Sequence, residues 1–287
     1  MSSEPITRVG VVGAGQMGAG IAEVSARAGV DVLVFETTDA LAAAGRQRLT
    51  KSLQRGVSAG KITEPERDAT LDRLSFTTEL KDLADRQLVV EAVIEDEAVK
   101  TEIFARLDAV IEDPDAILAS NTSSIPIMKM AAATQNPQRV LGLHFFNPVP
   151  VLPLVELVTT LVTGEAAADR AETFAGAVLG KQVVRCPDRS GFVVNALLVP
   201  YLLSAIRMAE AGVAEIDGID KAVVAGLSHP MGPLRLADLI GLDTLELIAD
   251  KMYEEYKEAM YAPPPLLRRM VEAGLLGKKS GQGFYKY

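Results

Sequence analysis

Two side chains in the middle of the chain could handle a proton together: His144 and, twelve positions later, Glu156. Glu156 interrupts the run Leu154-Val155-Glu156-Leu157-Val158, and such apolar neighbours predict burial. A buried carboxylate is destabilising unless a cation or several donors meet it. The chain has only two histidines, His144 and His229, so the ring that closes the 140–144 run is the simplest partner. A lone histidine on a strand is more often structural than catalytic, and its neighbours have to decide. A His–carboxylate pair is what dehydrogenation of an alcohol requires. The imidazole takes the hydroxyl proton while hydride leaves the same carbon, and the carboxylate orients the ring and stabilises its charged form.

A hydride needs an acceptor, and the string Gly13-Ala14-Gly15-Gln16-Met17-Gly18 suggests one. Glycines alone would also suit a tight turn with no ligand. Here they follow an apolar run at residues 9–12, open a helix, and are answered by Glu36, eighteen positions past the last glycine. Gly13 permits the turn, Gly15 leaves room for a pyrophosphate, and Gly18 lets the helix approach the strand. The helix start then offers free N–H groups and a positive dipole end to phosphates. Glu36 would accept from ribose hydroxyls and repel a 2′-phosphate, favouring NAD over NADP, although Arg46 and Arg48 could relax that preference.

A third group, Ser120-Asn121-Thr122-Ser123-Ser124, ends another apolar run. In an open α/β sheet, ligands bind beyond the carboxyl ends of the strands, so these hydroxyls could hold a nicotinamide or a substrate oxygen. They would serve equally well as caps of a helix over 125–130. Both readings stay open.

These groups need a scaffold, and the pattern supplies one. Strands are expected at 8–12, 32–36, 88–92, 117–120 and 140–144, then at 154–157 and 182–185. Helices are expected at 18–28, 40–59, 98–111 and 165–179. Near-continuous apolar strands alternating with helices signal a doubly wound, Rossmann-like α/β domain with a largely parallel sheet, over residues 1–186. After Pro187 the texture turns helical, at 191–211, 215–226, 244–258 and 265–272. Residues 187–287 therefore read as a smaller all-helical domain.

Composition narrows the classes. Among 287 residues, 29 Lys and Arg stand against 38 Asp and Glu, which leaves no bulk basic face for nucleic acid. A single cysteine, Cys186, excludes an internal disulfide and a Cys-based zinc site, and two histidines make a His-rich metal centre unexpected. The first five residues lack the pattern of a secretory signal, and no apolar run reaches the roughly 20 residues that span a bilayer. A metal-free protein of the cytoplasm, off the membrane, is expected. The acidic chain also concentrates cations locally, with Arg46, Arg48, Lys51, Arg55 and Lys61 and no acid between residues 46 and 61. Such a patch suits a polyanionic ligand better than an ordinary solvated face.

The glycine string, the 120–124 run, His144-Phe145-Phe146-Asn147-Pro148, Ser190-Gly191-Phe192-Val193-Val194-Asn195 and Gly281-Gln282-Gly283-Phe284-Tyr285 together resemble the L-3-hydroxyacyl-CoA dehydrogenases, in their short, stand-alone bacterial form. The resemblance runs from about residue 6 to the C-terminus. It implies NAD-dependent oxidation of an (S)-3-hydroxyacyl-CoA, with His144 as base and Glu156 orienting it. Ser123 and Asn195 would lie at the substrate's C3 oxygen. Gly13, Gly15, Gln16, Met17, Gly18, Glu36 and Asn147 would line the cofactor site, and Glu95 and Lys100, with Ser123, would reach the nicotinamide and its ribose. Ser52 and one or more of Lys51, Arg55 and Lys61 would hold CoA. The helical domain would close the substrate cleft and form a homodimer. Two other readings stay open: a dehydrogenase of a free hydroxy acid or sugar acid, and a non-catalytic dinucleotide-binding protein.

Overall fold

The computed structural model describes residues 4–287; the first three residues, part of the stretch read for a secretory signal, lie outside the described residues. The chain divides into two compact units, the first ending at Arg189 and the second running from Ser190 to Tyr287. That division falls three residues beyond the expected 186.

The first unit is an eight-stranded sheet with helices: β1 Arg8–Val12, α1 Gln16–Arg27, β2 Asp31–Phe35, α2 Asp39–Ser58, α3 Glu64–Leu71, β3 Leu74–Thr77, β4 Leu88–Glu91, α4 Glu97–Val110, β5 Ile117–Ser120, α5 Ile127–Ala131, β6 Val140–Phe145, β7 Leu154–Thr159, α6 Glu165–Thr173 and β8 Gln182–Pro187. The strand order is β3-β2-β1-β4-β5-β6-β7-β8. Pairing is parallel from β3 through β6, as a doubly wound fold requires, and β7 and β8 are parallel to each other. Between β6 and β7 the pairing is antiparallel. The reason is the short connection at 146–153, which cannot house the crossover that a parallel neighbour needs. Val9, Val11, Val32, Val34, Leu88, Val90, Ile117 and Leu141 are buried in the sheet core against Ile21, Ala22 and Ala26 of α1.

Several elements depart from the sequence expectation. β3 and α3 were not foreseen, yet α3 begins with a full capping box in which Thr63 and Glu66 satisfy each other's backbone N–H groups, with Pro65 in its first turn. The helix expected over 165–179 ends at Thr173 and continues as a π-helical turn, Phe174–Val178.

The second unit contains α7 Val194–Glu210, α8 Ile216–Leu227, α9 Pro233–Ile240, α10 Leu242–Tyr256 and α11 Pro265–Glu272. The first of these starts three residues later than expected because Gly191 and Phe192 take positive φ angles of +81° and +47°, which a helix cannot continue. Its core includes Val199, Leu202, Leu203, Ile206, Leu234, Leu245 and Met252. The C-terminal Gly281–Tyr287 segment is fastened to it by two buried aspartates. Asp238 accepts the Phe284 and Tyr285 amides, each at 2.9 Å, and the Tyr287 hydroxyl at 3.2 Å. Asp220 accepts the Leu234 and Arg235 amides and the Tyr285 hydroxyl at 2.8, 3.0 and 2.8 Å. Replacing Asp238 by alanine strips two part-buried amides of their acceptor, with an expected loss of about 1–3 kcal/mol of stability. Urea unfolding measures this, and an unchanged midpoint would refute the fastening role.

Candidate active site

Four loops meet at the carboxyl edge of the first unit's sheet. The glycine turn follows β1. Gly13 has φ +96° and donates its N–H to the Phe35 carbonyl at 2.9 Å. A Cβ on Gly18 would lie 1.9 Å from the Gly13 carbonyl oxygen, so only glycine lets α1 sit this close to the strand. A Cβ on Gly15 would meet nothing within 4 Å, and this residue caps α1 without a side-chain partner. The open side of the loop and the N–H groups behind it thus fit a pyrophosphate. Glu36 accepts the Ala14 amide at 2.5 Å, and Arg48 donates to the Ala14 carbonyl at 2.5 Å.

Two carboxylates stand at the end of β4, Glu91 closing the strand and Glu95 in the loop after it. Glu95 Oε1 accepts the Thr122 hydroxyl at 2.5 Å, the Ser123 and Ser124 amides at 3.1 and 3.2 Å, and the Ser124 hydroxyl at 3.0 Å. Burial opposes its charge, but the Lys100 ammonium and these donors prevail and hold the carboxyl below its usual range. Lys100 is 1% exposed, with Nζ 2.6 Å from Glu91 Oε1 and 3.3 Å from Glu95 Oε2. Sequence reasoning missed Glu91, which ends its apolar run, whereas Glu156 stood out by interrupting one.

The 120–124 run resolves into separate duties. Ser120 donates to Glu91 at 2.6 Å, and Asn121 Oδ1 accepts the Phe145 amide at 2.9 Å, joining β5 to the end of β6. Ser124 is spent on Glu95, while Thr122 donates to Glu95 and also accepts the Ser124 and Ile125 amides at 3.2 and 3.0 Å. The Ser123 hydroxyl alone has no hydrogen-bond partner among the described residues. The cap of α5 comes from elsewhere: Asp188, past β8, accepts the Ile127 and Met128 amides at 3.0 and 2.8 Å. The run's part in the expected 125–130 helix is limited to Thr122, whose hydroxyl accepts the Ile125 amide just before α5 begins.

His144 and Glu156 are direct partners across the antiparallel β6–β7 pair. Their side chains meet at 2.7 Å between Nδ1 and Oε2, with Glu156 fully buried and His144 6% exposed. An ionised Glu156 can only accept, so Nδ1 carries the proton and the neutral ring keeps its lone pair on Nε2. The Phe146 ring packs on the imidazole, with centroids 4.6 Å apart. One residue further, Asn147 Oδ1 accepts Gln16 Nε2 at 3.0 Å, so the loop after His144 touches the glycine turn. The sheet therefore brings Gly13, Gly15, Gln16, Glu36, Glu95, Lys100, Ser123, His144, Asn147 and Glu156 to one edge.

The model of the 3-hydroxyacyl-CoA dehydrogenase NAD binding domain matches residues 8–189, and that of the 3-hydroxyacyl-CoA dehydrogenase C-terminal domain matches residues 191–287. The chain belongs to the 3-hydroxyacyl-CoA dehydrogenase family. A 3-hydroxybutyryl-CoA dehydrogenase of Mycobacterium tuberculosis is 78% identical over 285 residues, covering 99% of this chain and 100% of that one. The human mitochondrial hydroxyacyl-coenzyme A dehydrogenase is 41% identical over 290 residues, covering 98% and 91%. The crystal structure of (S)-3-hydroxybutyryl-CoA dehydrogenase PaaH1 from Ralstonia eutropha superposes with a TM-score of 0.95 at 40% identity, covering 98% of this chain and 99% of that one. This family member is an oxidoreductase whose first domain is of the NAD-binding type.

The remaining expected site residues of this dehydrogenase are carried by α2, the turn after it, and α7. Ser52 is half-buried on α2, next to Glu23 of α1; burial raises the Glu23 carboxyl above its usual range, against the pull of Ser52, Arg27 and Arg55. Arg55 and Lys61 are exposed, at the end of α2 and in the turn after it. Of the five cations counted in that stretch, Arg46 lies over the Phe76 ring, 4.6 Å from its centroid, and Arg48 donates to the Ala14 carbonyl. Asn195 lies in the second unit, in the first turn of α7. Cys186 is buried on β8, and burial, with Glu156 and Asp188 nearby, pushes its thiol up to about 12, which leaves it no nucleophilic role at neutral pH. Among the described residues no group of His, Cys, Asp and Glu is arranged to hold a metal, and no helix is long and apolar enough to cross a membrane.

Proposed function

We propose that the enzyme catalyses the reversible, NAD-dependent oxidation of a short-chain (S)-3-hydroxyacyl-CoA, of the 3-hydroxybutyryl-CoA type, to the 3-oxoacyl-CoA. NAD, when bound, accepts the hydride from C3. His144 Nε2 removes the hydroxyl proton, and Glu156, already bonded to Nδ1, stabilises the imidazolium that results. Ser123 donates to the C3 oxygen as it becomes a carbonyl, and Asn195 is assigned to the same oxygen. Ser52, Arg55 and Lys61 are assigned to CoA, whose phosphates need cations that the acidic chain otherwise lacks. The enzyme is taken to act in the cytoplasm as a homodimer paired through the helical unit, whose Leu197, Leu227 and Leu239 stand exposed.

The observation that carries this reading is the His144–Glu156 pair on the same sheet edge as the glycine turn, beside the one hydroxyl of the 120–124 run left uncommitted. The test compares acetoacetyl-CoA with free acetoacetate while NADH loss is followed by the absorbance of the reduced nicotinamide ring. The thioester is expected to be preferred by at least about 100-fold in kcat/KM, because the free acid leaves the binding energy of the carrier unused. Comparable rates would favour a free hydroxy acid as substrate, and no NADH loss with either would favour a non-catalytic dinucleotide-binding protein.

A further inference from the structure

Glu91 closes β4 with no exposure to solvent, and the reaction proposed above does not use it. Its Oε1 accepts the Lys100 ammonium at 2.6 Å and the Val93 amide at 2.7 Å, and its Oε2 accepts the Ser120 hydroxyl at 2.6 Å. Donors meet both oxygens, an ammonium among them, which is the environment of a carboxylate and not of a carboxylic acid. Lys100 is shared with Glu95, whose other oxygen is held by the 122–124 donors. One ammonium between two carboxylates leaves the cluster with one net negative charge, placed where β4 and β5 end.

The position matters because of the sheet's topology. Strand order reverses between β1 and β4, and a dinucleotide straddles that point with its pyrophosphate at the turn after β1. Glu36, past β2, marks the adenosine side. The other half of the ligand then runs past β4 and β5 toward His144. The oxidised nicotinamide ring carries a positive charge that the reduced ring lacks. A fixed charge about 8 Å away, at an effective dielectric near 20, distinguishes the two by roughly ten- to thirty-fold in affinity.

We propose that the Glu91–Lys100–Glu95 cluster sets the cofactor's redox preference, favouring the cationic oxidised ring, with Glu91 as the buried positioning residue that makes the cluster anionic. The proposal rests on the NAD reading above. Glu91 does not touch the reacting atoms; it fixes Lys100, and through it Glu95 and the Ser123 loop, and it supplies the negative charge that remains once Lys100 has balanced Glu95.

The test is direct titration of the full chain with NAD⁺ and with NADH, reading the ratio of the two Kd values. Glu91→Gln should weaken NAD⁺ binding about tenfold and leave NADH within about twofold. Glu95→Gln removes the same charge from the less buried end and should move the ratio in the same direction; it decides the matter if Glu91→Gln fails to fold. Ser120→Ala deletes a hydrogen bond but no charge, and its ratio should stay at the wild-type value. Equal weakening of both cofactors in the two glutamine variants, or an unmoved ratio, would overturn the proposal and leave Glu91 a structural tie. A wild-type chain that binds neither cofactor would instead overturn the NAD reading itself.

Discussion

His144→Gln is expected to lower kcat by about 10²–10⁴-fold while the Kd for NAD stays within about twofold of wild type. Glutamine can still donate an N–H toward Glu156 across the β6–β7 pair, so it preserves much of the local bonding. It cannot take up a proton at neutral pH, and that is the function the variant isolates. His144→Ala should show the same loss of turnover, with a further loss of stability because a buried carboxylate is deprived of its imidazole partner at 2.7 Å. Pre-steady-state and steady-state rates with acetoacetyl-CoA and NADH, alongside a cofactor titration, make the measurement. Parallel losses of turnover and NAD binding would mean that the histidine holds the loop at Asn147 and Gln16 together and does no chemistry.

The site was readable to the extent that its residues obey local rules. Glu156 stood out because a charge inside Leu154–Thr159 violates the burial pattern around it, and a rule broken in an otherwise consistent strand marks a site. The glycines were readable because each answers a separate steric demand. Glu91 obeys the same logic as Glu156, but it closes β4, where a charge reads as the start of a loop; its burial depends on Lys100 folding back from α4. The cap of α5 lay beyond any local reading, since Asp188 arrives from some sixty residues away.

The scaffold follows the same division. Strands buried on both faces announce themselves through unbroken apolar runs, as β1 and β5 do. β3, four residues on the sheet's edge with the pattern Leu-Ser-Phe-Thr, has little burial to announce. α3 and α9 carried start signals, a capping box and a first-turn proline respectively, that a search for long apolar periodicity passes over. The reversal between β6 and β7 is written in loop length, not in strand composition. That reversal is also what places position 144 directly opposite position 156.

For this reason Glu156→Gln is the sharper probe of the pair, with kcat expected to fall by about 10²–10⁴-fold. The amide has nearly the shape of the carboxylate, and its burial between β6 and β8 costs less than burial of a charge, so the chain should fold with its melting temperature within a few degrees of wild type. Two arrangements are open to the amide, and both impair the base. If its carbonyl accepts Nδ1–H, the ring keeps its orientation but the imidazolium forms without a countercharge. If its NH₂ faces the ring, Nδ1 becomes the acceptor, the proton moves to Nε2, and the lone pair needed for the hydroxyl proton is lost. In either case the Kd for NAD and the KM for the acyl-CoA should change little, because the deficit lies in the step that charges the ring. Turnover within fivefold of wild type would show that the carboxylate gives no support to that step; a rise in KM at unchanged kcat would move Glu156 from proton handling to substrate binding.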